Sequence, residues 1–230
     1  MKEPELMGKL QITSRSSQPF ADRKEAGILL GGELKKLGLE KENPAVVAIL
    51  RGGIVLGREV ARLLKGDLDI VLSRKLGSSF NSELAIGAVS EGGELFMNER
   101  IAAQIGVRLQ YVEQEKKKQL ELIAERVSYF RKDFPKISLR ERYVIVVDDG
   151  IATGATMEAT VWSIREEKPR TLMVALPVGP EDTLIRLANE ADQVLCLRVP
   201  EFFAAVGQFY RRFDQTEYEE VLRILAEERK

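Results

Sequence analysis

Apolar positions follow a helical period in some stretches of this chain and a short unbroken run in others, and the two alternate. Phe20, Ala26, Ile28, Leu29, Leu30, Leu34 and Leu37 form a stripe at helical spacing, and Gly38 is placed to stop it. Asn43-Pro44 breaks the chain before Val46 to Leu50, a β-branched run that reads as a buried strand. Arg51-Gly52-Gly53 then leads into a helical pattern from Ile54 to Leu64, followed by a second strand from Leu68 to Ser73. Ala85 to Ser90 and Glu94 to Met97 flank Glu91-Gly92-Gly93, the pattern of a hairpin. Gln110 to Lys132 is a long charged helix with Val112, Leu120, Ile123, Val127 and Phe130 as its apolar side. The alternation then resumes: strand Tyr143 to Val147, helix from about Ala155 to Ile164, strand Thr171 to Leu176, helix Glu181 to Asn189, strand Gln193 to Val199. Strands alternating with helices predict an α/β fold, a mostly parallel twisted sheet with helices on both faces.

In domain terms, residues 1–19 are mostly polar and read as an irregular arm. Residues 20–230 read as a single domain with a long insertion around 76–142 and a C-terminal hood or packing segment over 200–230. Within the insertion, 77–82 is rich in Gly and Ser and is expected to be its mobile part.

Composition narrows the chemistry. The 230 residues are 44% hydrophobic and 31% charged, a globular balance with a formal net charge of −1. That charge argues against nucleic acid as a partner, since a duplex binder carries a basic face. There is no histidine, which excludes Ser-His-Asp and Cys-His catalysis, a histidine base and histidine-ligated zinc within this chain. The single Cys196 lies in an apolar strand and is expected to be a buried thiol without chemistry. No apolar run reaches the roughly 18 residues of a membrane helix, and the first residues lack a secretion signal, so a cytoplasmic protein is expected.

The most informative segment is Val144 to Thr156. A strand ends in Asp148-Asp149 and opens through Gly150, Ile151, Ala152, Thr153 and Gly154 onto Ala155 and Thr156 at a helix start. Ligands of open α/β sheets bind at the carboxyl ends of the strands. Free N–H groups and the dipole of a helix N-terminus favour a phosphate there. Paired acids beside a phosphate loop suit a phosphorylated sugar, with hydroxyls or a hydrated cation facing the acids. The plainer alternative is a strand end whose acids cap the next helix. Arg51-Gly52-Gly53, at the end of another strand, is an anion nest or a plain βα turn. Arg74 and Lys75 are expected to end the second strand on the same edge of the sheet.

These residues resemble the phosphoribosyl-pyrophosphate signature of type I phosphoribosyltransferases. The stretches 20–27, 50–53, 74–77, 83–89 and 202–213 extend the resemblance, over roughly residues 20–230, to a group of uncharacterised bacterial phosphoribosyltransferase-like proteins. The resemblance implies that Asp148 and Asp149 bind the ribose 2- and 3-hydroxyls and touch metal only through ligand or water. It implies that residues 150–156 hold the 5-phosphate, that Arg51, Gly52 and Gly53 form the pyrophosphate loop, and that Arg74 and Lys75 neutralise the diphosphate, the alternative being two solvated cations. It implies Mg²⁺, with phosphoribosyl diphosphate as co-substrate and a small-molecule base as acceptor, and a homodimer. The reaction implied is transfer of the 5-phosphoribosyl group with release of diphosphate. The alternative is a regulatory protein that senses phosphoribosyl diphosphate without turnover. Members acting on 6-oxopurines carry an acid where this chain has Ala152, which weakens that acceptor class. Asn81, Glu83 and Glu91 are weak candidates for the acceptor side. The aromatics of 202–213 either stack on a base or, as favoured here, pack the chain end on the core, and Trp162 is expected to be core.

Overall fold

A computed structural model describes residues 10–81 and 84–229. In chain order its first half holds β1 (Leu10–Ser14), α1 (Arg23–Lys36), β2 (Ala45–Ile49), α2 (Gly53–Leu64), β3 (Asp67–Val71), β4 (Arg74–Gly77), β5 (Ala85–Val89) and β6 (Leu95–Met97). It continues with α3 (Glu99–Ile105), α4 (Leu109–Phe130), β7 (Tyr143–Val147), α5 (Ala155–Arg165), β8 (Thr171–Val178), α6 (Glu181–Glu190), β9 (Gln193–Arg198) and α7 (Tyr218–Glu228). Six strands form one sheet in the order β1-β9-β8-β7-β2-β3, and every adjacent pair is parallel.

The apolar runs are continuous because both faces of this sheet are covered. Ile145 and Val147 of β7 face one layer, where Leu30 of α1, Leu56 of α2 and Ile224 of α7 pack. Val144 and Val146 face the other, against Met157 and Val161 of α5 and Leu184 of α6. The period-two alternation of strand side chains thus feeds two separate cores.

The insertion folds as a second sheet, β4-β5-β6, antiparallel throughout. One of its faces puts Leu76, Ile86 and Val89 against Val112 and Ile123 of α4. The other puts Ala85 and Ala88 on Ala155, Ala159 and Trp162 of α5, with Phe96 stacked on Trp162 at 5.0 Å. Trp162 is core, as its sequence position suggested.

Three elements differ from the sequence reading. Residues 10–14, expected to be part of an irregular arm, form an edge strand parallel to β9, with Leu10 opposite Val194. Only Leu10 and Ile12 of that strand reach the core, so two apolar residues at period two were the whole local signal. Arg74 and Lys75 do not end the second strand. The chain leaves the main sheet after Val71, and the two residues open β4, opposite Val89 and Ala88. Finally, α3 had not been foreseen, although its signals are present: Asn98 Oδ1 accepts from the Ile101 N–H at 3.1 Å, and Gly106 ends the helix at φ 65°.

Candidate functional site

The parallel register brings the ends of β2 and β7 side by side, so the turns that follow them meet. Gly52 lies directly against Asp149: a Cβ built on Gly52 would fall 1.9 Å from Asp149 Oδ2. Gly52→Ala is therefore expected to displace the Asp149 carboxylate while leaving the cores untouched. Near-native far-ultraviolet circular dichroism with a shifted melting temperature is the expected result; an unchanged melting temperature would separate the two turns.

The two acids differ in their surroundings. Asp148 Oδ1 accepts the Asp149 backbone N–H at 2.8 Å, and Asp148 makes no ion pair among the described residues. Burial, and then the charge of Asp149, push its carboxyl well above the ordinary carboxylate range. Asp149 Oδ2 accepts from Arg23 Nε at 2.8 Å. Burial raises the Asp149 carboxyl too, with Arg23 opposing the rise. Arg23, at the start of α1, lies over the Phe213 ring at 3.9 Å and donates to the Asp214 carbonyl at 2.5 Å. The Tyr210 hydroxyl donates to the Asp149 carbonyl at 2.5 Å. One acid thus comes with a fixed cation and the other without. Sequence reasoning missed Arg23 and Tyr210 as site residues, although both lie in stretches that carried the resemblance.

The loop after the acids is held from outside. Thr183 Oγ1 donates to the Ala152 carbonyl at 2.9 Å, and Arg186 donates to the Thr153 carbonyl at 2.8 Å. A trans peptide points its N–H opposite its C=O. The Thr153 and Gly154 N–H groups therefore point away from α6. Gly154, at φ 89°, turns the chain into α5, whose first N–H groups at Ala155 and Thr156 have no intrahelical partner. Thr153 and Thr156 are exposed, and Ile151 is anchored by its N–H to the Val178 carbonyl at 3.0 Å. Main-chain donors, an exposed threonine on each side and a helix start make an anion cradle.

Other sequence candidates are dispersed. The Arg51 side chain engages Glu217 at 3.1 Å and lies 5.4 Å from the Tyr218 ring centroid, while its backbone stays in the turn with Gly52 and Gly53. Arg74 and Lys75 line a cavity of about 710 Å³ that also touches Leu50 and Thr156. Asn81 lines the same cavity, and Glu83 lies outside the described residues. Glu91 is taken up by cations: both of its oxygens accept from Arg131, at 2.7 and 3.0 Å, and Lys136 pairs with it at 3.3 Å. The Gly/Ser segment starts in a tight turn, with Ser78 Oγ bonded to the Asn81 carbonyl and the Tyr111 hydroxyl to the Gly77 carbonyl. Phe209 and Tyr210 are buried and stack with Phe203 and Phe213, so the aromatic segment mainly packs the chain end; Phe202 is 80% exposed. Cys196 is buried, its thiol pushed up to about 12 by desolvation.

An open parallel sheet with helices on both faces, and with an acid pair and a glycine–threonine loop at its carboxyl edge, defines a doubly wound α/β protein. The sequence pattern described as "Phosphoribosyl transferase domain" matches residues 29–213, and the chain belongs to that family. It is 38% identical over 206 residues to the Mycobacterium tuberculosis protein named "Putative phosphoribosyl transferase Rv0571c". That match takes in 90% of this chain but 46% of the other, so the chain spans about half the length of the curated relatives it matches. The crystal structure of TT1426 from Thermus thermophilus is 43% identical, with a TM-score of 0.86, over 92% of this chain and 99% of that one.

Proposed function

We propose that this protein transfers a 5-phosphoribosyl group from phosphoribosyl diphosphate to a ring nitrogen of a base or related acceptor. The C1–O bond to diphosphate breaks, the C1–N bond forms, and the acceptor nitrogen gives up its proton. One observation carries the reading: the acid pair, the anion cradle of 150–156 and the Arg51-Gly52-Gly53 turn meet at the ends of two adjacent parallel strands. A sugar with a phosphate at one end and a diphosphate at the other matches that spacing of functions.

In this reading the Asp148 and Asp149 carboxylates accept the ribose hydroxyls. The N–H groups of residues 153–156 hold the 5-phosphate, with the Thr153 and Thr156 hydroxyls beside them. The amides of the 51–53 turn face the diphosphate. Magnesium fits these residues. Asp148 is a half-buried carboxylate without an ion-pair partner among the described residues, and Mg²⁺ is commonly held by one or two carboxylates with waters and substrate oxygens. When bound, the ion would offset the charge of the leaving diphosphate. Catalysis would then be positioning and charge stabilisation in a site from which water is excluded.

The test is diphosphate release from phosphoribosyl diphosphate and Mg²⁺ with a panel of purines, pyrimidines and other ring nitrogens. Release that depends on one acceptor, and is abolished in Asp148→Asn/Asp149→Asn, is the expected result. Tight binding without release would make the protein a sensor, and release without acceptor a hydrolase; either overturns the transferase reading.

A further inference from the structure

The 710 Å³ cavity lies between the β4–β5 sheet and α4, and Leu50 and Thr156 place it beside both the pyrophosphate-loop strand end and the phosphate-loop helix. Among the described residues its lining carries Arg74, Lys118 and Arg126 with the acid Glu115, and Lys75, which has a partner of its own. Glu115 is itself engaged, accepting from Gln119 Nε2 at 2.6 Å and pairing with Lys118 at 3.8 Å. Gln119, buried in the wall, takes Arg74 Nε at 2.5 Å and so fixes the plane of that guanidinium. Arg126 is half-buried and makes no ion pair among the described residues. Burial, and then the like charge of Arg126, press the Arg74 guanidinium below its ordinary value, with Glu115 opposing the shift, so the two guanidinium groups feel one another across this space. Guanidinium pairs of this kind match the forked oxygens of a phosphate chain.

We propose that the inserted helix α4 forms the diphosphate wall of this site, with Arg126 binding diphosphate opposite Arg74. The inference rests on the transferase reading for the identity of the anion, but assigns a role to a helix whose charges otherwise read as a solvated face. Diphosphate enters as the tail of the phosphoribosyl donor and remains, after transfer, as the product to be released. The insertion thereby contributes directly to the site built by the main sheet.

Calorimetric titration of the full chain with magnesium diphosphate, and separately with ribose 5-phosphate, tests this. Arg126→Gln is expected to weaken diphosphate by about tenfold or more, the scale of a lost charge-assisted contact, and to leave ribose 5-phosphate unchanged. Arg126→Lys should recover part of the loss. Lys117→Gln, which removes a charge from the same helix outside the cavity, should change neither ligand. Unaltered diphosphate affinity in Arg126→Gln, or no affinity in the unmodified protein, would overturn the assignment. So would an equal loss for both ligands, which would indicate distortion of the site. If diphosphate binds through Arg126 while ribose 5-phosphate does not bind at all, the transferase reading fails and the anion wall stands.

Discussion

Asp148→Asn is expected to raise the melting temperature of the protein and to abolish its affinity for ribose 5-phosphate. Asp148 is half-buried beside a second carboxylate, and burial followed by the Asp149 charge holds its pKa well above the usual value. In the unfolded chain the same group titrates near 3.9. Below that pH both states are protonated and the residue makes no difference. As pH rises through the elevated native value, folding requires an anion where the site disfavours one, and stability is lost. Each unit of elevation corresponds to about 1.4 kcal/mol. Asparagine keeps an oxygen for the Asp149 N–H and carries no charge, so the variant should melt above the parent at neutral pH, by about 2–4 °C for each kcal/mol recovered in a chain of this size. Melting curves at pH 5 and pH 8 should show the larger gain at pH 8. A variant no more stable than the parent at pH 8 would mean that Asp148 is comfortably ionised and is not held for a ligand. Because the elevated pKa must be overcome before the acid pair can serve as acceptors, affinity for ribose 5-phosphate should also weaken as pH falls toward 5.

The opposite outcome is expected at Asp69. This carboxylate, on β3, is 2% exposed. Its Oδ1 accepts from Arg131 at 2.7 Å, pairs with Arg229 at 2.5 Å and receives the Ile70 N–H at 2.7 Å. Its Oδ2 takes the Ile137 N–H at 3.0 Å. Arg131 in turn holds Glu91 of the insertion. One buried anion therefore ties together the main sheet, the C-terminal end, the return from the insertion and, through Arg131, the hairpin. Asp69→Ala would leave two guanidinium groups facing each other with their shared anion gone, at a cost of about 3–5 kcal/mol. That corresponds to a fall in melting temperature of roughly 10 °C. Asp69→Asn, which loses the charge but keeps an acceptor, should fall between. Scanning calorimetry reads both; a loss below about 1 kcal/mol in the alanine variant would show that the ion network contributes little net stability.

Much of the main sheet was legible because its strands are buried on both faces, so that each appears as an unbroken apolar run between helical stripes. The acid pair and its loop were legible because they are one continuous segment. What was hidden is what depends on distant pairing. Arg23 meets Asp149 across 126 positions, and no local period announces it. The edge strand at 10–14 shows only two apolar residues, and its identity depends on β9 being beside it. Glu91 looked like a polar hairpin tip suited to a ligand, yet an arginine 40 residues later claims it. Arg74 and Lys75 read as part of the wrong strand because only Leu72 and Ser73 separate the two sheets, too short an interruption to register as a break.

The eleven residues of α5 serve two masters. Met157 and Val161 belong to the core of the large sheet, while Ala155, Ala159 and Trp162 are the floor of the small one. The hairpin and its long helix are thus no ornament that could be trimmed away to leave a minimal domain. Excision would strip the cover from a tryptophan and two alanines just after the glycine–threonine loop, and an abridged chain would meet solvent, or a second copy of itself, with its most delicate helix.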